Sequence, residues 1–326
     1  SNFFLRDKNN DTISIFPIKY INLFYNNEEL TNQVAGKGKF FKIPFYFKLN
    51  KSFDANPKST TLLKLNKLDL KIENESAIKD KKYLANNNIL FRNANLNSNI
   101  EIKNNLISFN SKNSKMANSK LKYNGKIYLN PFDLKFDANI EKLNLIKLLT
   151  SSFNLIKSSN LNFLLNKNLN IKIILNIGNV RNKIFDNSKI LINFDNGKIN
   201  FNDSYVFSKK IGSIKLYKSK VDIVDENIIF KGSFNFNIEN EEKFYTTFQI
   251  PKKSRKLLKN IFFDLSINTY DGKLNINNFR INKRENILNH KTQDIIIRYN
   301  DSEKNEIQNW ISLKNFIREI FITYLG

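Results

Sequence analysis

Over most of its length the chain alternates apolar and polar residues with a period of two. Ile228, Phe230, Gly232, Phe234, Phe236 and Ile238 form one row, while Lys231, Ser233, Asn235 and Asn237 make most of the other. The pattern returns at Ile43-Phe45-Phe47-Leu49, at Leu169-Ile171-Ile173-Leu175-Ile177, and at Ile190-Ile192-Phe194 followed by Ile199 and Phe201. It returns again at Phe244-Thr246-Phe248-Ile250 and at Ile261-Phe263-Leu265-Ile267. Side chains alternate faces along a strand, so each segment reads as a strand with one dry and one wet surface. That pattern marks antiparallel sheet, because strands of a parallel sheet are covered on both faces and read as continuous apolar runs.

Short polar pairs punctuate the strands. Asn124-Gly125, Asp195-Asn196-Gly197 and Asp271-Gly272 tolerate the positive φ angles of two-residue hairpin turns. Strands of ~8–12 residues joined this way predict a meander of roughly fifteen to twenty strands. At ~4.8 Å per strand such a sheet would be ~70–95 Å wide, and a sheet of that width must curl, split or close. The expected fold is therefore mainly β, a long antiparallel meander curled into an elongated groove or taco-like sheet. Pro44 and Pro131 cannot donate to a ladder, so each should mark a bend, bulge or edge.

Two segments leave this pattern. From Leu143 to Ile156, Ile146, Leu149, Phe153 and Ile156 stand at helical spacing, with Lys142, Lys147 and Lys157 off the stripe, which predicts one internal amphipathic helix. The second runs from about Ser302 to Leu325. Asp301 or Ser302 can cap it, Glu303 and Glu306 suit its positive end, and Ile307, Trp310, Ile311, Ile317, Ile320, Phe321 and Tyr324 form a broad apolar stripe. Such a helix either plugs one end of the sheet or lies on a membrane surface, and Trp310, Ile317, Phe321 and Tyr324 are the candidate contacts in the second case. The organisation expected is a meander over 1–141, a helix over 142–158, a second meander continuing the same sheet over 159–282, and a polar loop, short strand and amphipathic helix over 283–326.

A length of 326 residues fits about two domains or one large all-β body. A hydrophobic fraction of 41% is enough for a core and excludes wholesale disorder. With no Cys there is no disulfide, thiolate metal site or thiol chemistry, and one His excludes any mechanism needing two imidazoles. His290 itself reads as a solvated loop residue. The net charge of +23 points first to nucleic acid or an anionic membrane. Yet Lys, Asn, Ile and Phe have A/T-rich codons, and the lysines are spread along the whole chain rather than gathered on one stripe. The Phe residues also alternate away from the Lys residues, so the two kinds lie on opposite faces, which is no stacking platform for bases. No stretch approaches the ~18 apolar residues of a membrane span. The chain begins at Ser1 rather than Met, as expected either of a chain that follows a removed segment or of a piece of a longer protein.

Phosphate loops, dinucleotide fingerprints and nucleophile elbows are absent, and the Asp7-Asn9-Asp11 run lacks the Gly and Glu of a calcium loop. Nothing in the sequence speaks for an enzyme, a cofactor or a metal.

The segment Gly125-Lys126-Ile127-Tyr128-Leu129-Asn130-Pro131-Phe132, continuing to Asn144-Leu145-Ile146-Lys147-Leu148-Leu149, resembles the AsmA-like proteins of Gram-negative bacteria. In that family a strand that starts with Gly and carries Pro-Phe leads into an Asn-Leu-x-x-Leu-Leu helix start. The stretch from Gly38 to Asp54 echoes its first part, with Gly-Lys, then Pro44-Phe45. The likeness in style spans residues 35–280, and the composition resembles that of A/T-rich proteobacteria. It implies a repeating β-groove whose dry inner face carries acyl chains passively between membranes or in outer-membrane biogenesis. It also implies a periplasmic chain tethered to the inner membrane through a segment not contained here, with no catalytic residues and no cofactor. The partners implied are phospholipid or other acyl-chain lipids, an anionic membrane surface and other envelope proteins. Candidate lining positions are Phe45, Phe47, Ile171, Ile173, Phe230, Phe234, Phe236, Phe263 and Leu265. The alternative for each is packing in a closed core, in a structural or adhesive all-β module that binds through its polar face.

Overall fold

The computed structural model describes residues 2–6, 10, 12–28, 30–40, 43–53, 57–79, 82–116, 118–145, 147–148, 166–181, 184–224, 227–268, 270–282, 290–302 and 309–325. The chain is mainly β, a long antiparallel meander that does not close on itself, with short helices, two of them near the C-terminus. It forms two compact units. The first holds residues 1–142 with 158–176 and 193–198, and the second holds 143–157, 177–192 and 199–326.

The first unit contains β1 (Asn2–Arg6), β2 (Thr12–Asn26), β3 (Thr31–Phe40), β4 (Ile43–Ser52), β5 (Lys58–Leu65) and β6 (Leu70–Lys79). It continues with β7 (Lys82–Phe91), β8 (Ala94–Lys103), β9 (Leu106–Met116), β10 (Ser119–Leu129) and β11 (Phe132–Ile140), and holds most of β12 (Asn170–Ile177). From β1 to β11 each strand pairs antiparallel with the next. Some of the turns use non-glycine residues in the left-handed region, as at Asp69 (φ 51°), Arg92 (φ 50°) and Asn104 (φ 53°). That is why Gly-based turn signals do not mark these hairpins.

One expected turn is not a turn. Asn124-Gly125 lies inside β10, where Gly125 faces Phe109 on β9 and Phe136 on β11. A Cβ at Gly125 would come within 2.2 Å of Cζ of Phe109, so the missing side chain makes room for a ring lying across the strand. The same arrangement recurs at Gly36 under Phe47 and Gly38 under Phe45. Both halves of the Gly-Lys…Pro-Phe echo are thus hairpins whose glycine lies under a ring of an adjacent strand, Phe45 within the hairpin for Gly38 and Phe109 of the preceding strand β9 for Gly125.

Of the internal helix expected over 142–158, only the start lies within the described residues. The side chain of Asn144 accepts from the Lys147 N–H at 3.0 Å, and the Leu148 N–H donates to the Asn144 carbonyl at 3.0 Å. The stripe residues Ile146, Leu149, Phe153 and Ile156 lie outside the described residues.

The strands after β12 are β13 (Asn187–Asp195), β14 (Lys198–Asn200), β15 (Tyr205–Ser208), β16 (Gly212–Val224), β17 (Asn227–Ile238), β18 (Asn260–Asn268) and β19 (Leu274–Ile281). The turn at Asn196-Gly197 has the expected positive φ at both residues, 49° and 71°. Within the second unit β16, β17, β18 and β19 form a meander. Three helices accompany it: α1 (Glu241–Thr247), α2 (His290–Asp301) and α3 (Trp310–Leu325).

Two of these helices replace expected strand or loop. The Phe244-Thr246-Phe248-Ile250 alternation becomes α1 and the chain after it. Asn240 caps the helix by accepting from the Lys243 N–H at 2.9 Å, Glu241 and Glu242 occupy its positive end, and Phe244 and Phe248 fall four residues apart on its buried side. The run Asp294-Ile295-Ile296-Ile297-Arg298-Tyr299, expected as loop and short strand, is α2. Thr292, Ile295, Ile296 and Tyr299 face inward at helical spacing and Ile297 is exposed. His290 is its exposed first residue. At the C-terminus the described helix starts at Trp310, not near Ser302. Its cap is Asn309, whose side chain accepts from the Ser312 N–H at 3.1 Å.

A contiguous core of buried residues lies in this second unit. Phe236, Ile238, Ile261, Leu265, Ile267, Leu274, Ile276, Phe279 and Ile281 supply the sheet side; Phe244, Phe248, Ile250 and Leu258 come from α1 and the following loop; Ile295, Tyr299, Phe316, Ile320 and Phe321 come from α2 and α3. Phe244 is at the centre, with ring centroids 4.6 Å from Phe248, 5.3 Å from Phe321 and 5.7 Å from Phe236. Burial pushes the Tyr299 hydroxyl up to about 12.

Candidate functional site: two faces of the first unit

The register of the first unit assigns its side chains to faces. Phe47 lies opposite Leu63, Leu63 opposite Ile72, Ile72 opposite Ile89, and Ile89 opposite Leu96, so one apolar row crosses five strands. All five are half-buried rather than buried. Farther along the same face, Ile100 lies opposite Phe109. There Phe109, Tyr123 and Phe136 form a ring cluster, with Tyr123 and Phe136 centroids 5.6 Å apart. Small residues such as Ala85, Ala94 and Ser98 are the buried ones, since their larger neighbours overhang them.

A polar seam divides this dry face. Thr61, Asn74, Asn87 and Ser98 stand opposite one another in turn, in phase with the apolar residues two positions away. Asn74 Nδ2 donates to Asn87 Oδ1 at 2.5 Å, which ties the two amides across the strands. Nearby, Ser59 and Ser76 hydroxyls are 2.6 Å apart and the Tyr83 hydroxyl donates to Ser76 Oγ at 2.5 Å. The sequence pattern missed the seam because Asn is about one residue in six here and appears on both phases of the alternation.

A trough of about 870 Å³ lies over the same strands, lined mainly by wet-face residues and also by the seam residues Thr61, Asn74, Asn87 and Ser98. Its sides are two rows fixed by the register. One runs Asn50, Thr60, Glu75, Asn86, Asn99, Asn110, and the other runs Lys48, Leu62, Glu73, Asn88, Asn97. Half of its 18 lining residues are Asn, about three times the share in the whole chain. Its charges balance, Lys48 and Lys112 against Glu73 and Glu75, in a protein of net charge +23. Among the described residues Asn88 Oδ1, enclosed in its wall, has no hydrogen-bond donor.

The predicted lining positions divide between the units. Phe45 and Phe47 lie on the dry face of the first unit, half-buried, with ring centroids 6.2 Å apart. Ile171 and Ile173 are half-buried on β12, alternating with exposed Lys172. In the second unit Phe236 and Leu265 belong to the closed core, 4% and 9% exposed, beneath the elements that cover the sheet. Phe230, Phe234 and Phe263 pack against that core half-buried, and the Phe234 and Phe263 rings stack at 5.1 Å. Among the helix positions, Phe321 is fully buried against Phe244 and Ile317 packs against the core, so the stripe of α3 turns inward at both. Trp310 and Tyr324 belong to α3, and their side chains lie outside the described residues. No described helix is long and apolar enough to cross a membrane.

No family model, curated protein or solved structure matches this chain.

Proposed function

We propose that the dry face of the first unit binds acyl chains and that the protein acts as a passive, AsmA-like carrier of phospholipid between membranes or in outer-membrane biogenesis. One observation carries this reading. The second unit closes its apolar face with α1, α2 and α3, whereas the first presents a row of large apolar side chains, Phe47 to Leu96, that is only half-buried. Leaving such side chains half in water forgoes on the order of 1 kcal/mol each, which an apolar occupant recovers. The likeness of Gly125 to Leu149 to AsmA-like proteins supplies the class of occupant and the periplasmic setting. The Asn74–Asn87 seam offers hydrogen bonds to ester or headgroup oxygens between two apolar bands. Mass spectrometry of lipid extracted from gently purified protein should find phospholipid at near-stoichiometric amounts, reduced several-fold by Phe45→Asp with Phe47→Asp. Lipid-free protein, or lipid content unaffected by those changes, overturns the reading.

A second reading is favoured by the trough. Its paired Asn rows, balanced charge and enclosed, undonated Asn88 oxygen suit an extended, uncharged polar chain, so the wet face would serve a structural or adhesive binding module. In that case Asn86→Ala with Asn99→Ala alters partner binding while Phe45→Asp with Phe47→Asp does not.

A further inference from the structure

The lysines are spread along most of the chain, but one run gathers them. Lys252 to Lys259 holds five basic residues in eight and no acid, in a chain with 53 Lys and Arg among 326. The run lies between α1 and β18 in the second unit, and two of its side chains pin it down. Ser254 and Leu258 are fully buried, which leaves Lys252, Lys253, Lys256, Leu257 and Lys259 exposed. Its backbone is tied at both ends. The Ser254 N–H donates to the Pro251 carbonyl at 3.0 Å, and Arg255 Nε donates to the Ile250 carbonyl at 3.0 Å. The Tyr245 hydroxyl donates to the Lys256 carbonyl. Asn282 holds the far end, its Nδ2 donating to the Leu257 carbonyl at 2.5 Å and its Oδ1 accepting from the Lys259 N–H at 2.7 Å. Arg255 also lies over the Tyr245 ring and reaches Glu242 at 3.7 Å, so this one cation is engaged. Among the described residues no carboxylate pairs with the four lysines, and Leu257, 64% exposed, stands among them.

We infer that this loop docks on an anionic phospholipid bilayer, with the four lysines among the headgroups and Leu257 entering the boundary between headgroups and acyl chains. Each Lys close to a negative bilayer surface strengthens partitioning about fivefold. A backbone already fixed by Tyr245 and Asn282 has little loop entropy left to lose on docking. The exposed leucine decides between anionic partners. A nucleic-acid surface calls for cations interleaved with aromatic or hydrogen-bonding side chains, whereas this loop exposes only Lys and Leu. A bilayer takes both kinds, the apolar side chain in its interface and the flanking ammonium groups at headgroup level. The loop also stands in for the helix stripe expected at the membrane, since Ile317 and Phe321 of α3 turn into the core. The inference goes beyond acyl-chain binding by the first unit and does not depend on it.

The full chain should co-sediment at low salt with vesicles of equal parts phosphatidylcholine and phosphatidylglycerol, and far less with phosphatidylcholine alone. Because the whole chain is basic, two variants of equal charge separate the loop from the rest. Lys252→Gln, Lys253→Gln, Lys256→Gln and Lys259→Gln combined should weaken binding by about fiftyfold or more. Lys115→Gln, Lys120→Gln, Lys122→Gln and Lys126→Gln combined, at sites exposed on β9 and β10, should weaken it by less than about fivefold. Leu257→Ser should weaken binding severalfold while leaving its salt dependence and the melting temperature of the protein unchanged. With no Cys in the chain, an environment-sensitive fluorophore on Leu257→Cys reads the contact directly. Its emission should shift to the blue when the mixed vesicles are added, and the same label on Asn124→Cys, exposed on β10, should not shift. Equal losses in the two lysine variants, or a label on Leu257→Cys that does not shift, overturn the inference. A DNA duplex that binds more tightly than the vesicles, with binding lost in the same loop variant, overturns it in favour of nucleic acid.

Discussion

Asn300, on α2, exchanges two hydrogen bonds with the backbone of Ile276 on β19. The Ile276 N–H donates to Asn300 Oδ1 at 2.9 Å, and Asn300 Nδ2 donates to the Ile276 carbonyl at 2.9 Å. One side-chain amide thus does for β19 what a neighbouring strand would do. Asn300→Ala leaves a backbone donor and acceptor at Ile276 without these partners, beside a residue 4% exposed, and should cost about 1–3 kcal/mol in denaturant unfolding. Asn300→Asp keeps the acceptor for the Ile276 N–H but sets a carboxylate oxygen against the Ile276 carbonyl, two acceptors face to face, so it should cost at least as much as Asn300→Ala at neutral pH and less in acid.

Gly125 and Phe109 form a second dependence that the backbone alone does not reveal. A methyl group at Gly125 would overlap the Phe109 ring and push it out of the Tyr123 and Phe136 cluster. Gly125→Ala should therefore destabilise by about 1–3 kcal/mol, as overpacking does. With Phe109→Leu in the background the same substitution should cost much less. A double-mutant cycle with no coupling would show that the ring and the glycine are independent.

Gly212 is constrained by its backbone. Its φ of 139° disfavours side chains, and a Cβ would lie 2.1 Å from the Asn237 carbonyl oxygen, which cannot rotate away. Gly212→Ala should therefore be more damaging than Gly125→Ala, whose obstacle is a ring that can move. Thermal denaturation of the two single variants checks the order.

The alternation made the antiparallel meander legible because period two is imposed by strand geometry wherever one face meets water. It failed at Phe244 to Ile250, where four residues of alternation are also compatible with i, i+4 helix packing. There Asn240 and the two glutamates that follow were the better signal. It failed at Asp294 to Tyr299 because three consecutive Ile residues look like a strand, although only two of them face the core. The hairpins at Arg92 and Asn104 were invisible as turns without glycine. The dry-face positions Phe45 and Phe47 were accessible to sequence, but no local pattern says which dry faces are closed by a helix that follows much later, as happens at Phe236 and Leu265. Nor could it reveal the wet-face trough, which requires six strands in register.

Asp222 sits between two lysines that face each other across β16 and β17. Lys220 and Lys231 are directly opposed in the register, and Asp222 Oδ2 is 3.0 Å from each Nζ. The hydrogen bond from Lys220 and then that from Lys231 hold the carboxyl below its ordinary value, against a partial desolvation that raises it. A depressed folded-state pKa means stability that is present above the unfolded value of about 4 and lost as pH falls through the lower folded value. Because the group is near the surface, Asp222→Asn should cost no more than about 1 kcal/mol at pH 7 and low salt, less in high salt. The cost should shrink as pH is lowered through and below about 4, where the wild-type carboxylate is itself neutralised. Denaturant midpoints of both proteins against pH test this, and a difference that stays constant into acid would assign the effect to packing.

The contrast between the two apolar faces predicts different costs for the same truncation. Phe321 has no exposed surface and touches Phe244 and Tyr245, so Phe321→Ala should cost about 3–5 kcal/mol. Phe47 is half-buried over Gly36, so Phe47→Ala removes fewer contacts and should cost about 1–2 kcal/mol in the lipid-free protein. With phospholipid bound the order of sensitivity changes in one respect. Lipid should raise the melting temperature of the wild type and of Phe321→Ala by similar amounts, and that of Phe47→Ala by less, because only Phe47 belongs to the proposed binding face. Thermal denaturation of the three proteins with and without added phospholipid provides the comparison, and an equal lipid-dependent shift in all three would place the lipid elsewhere.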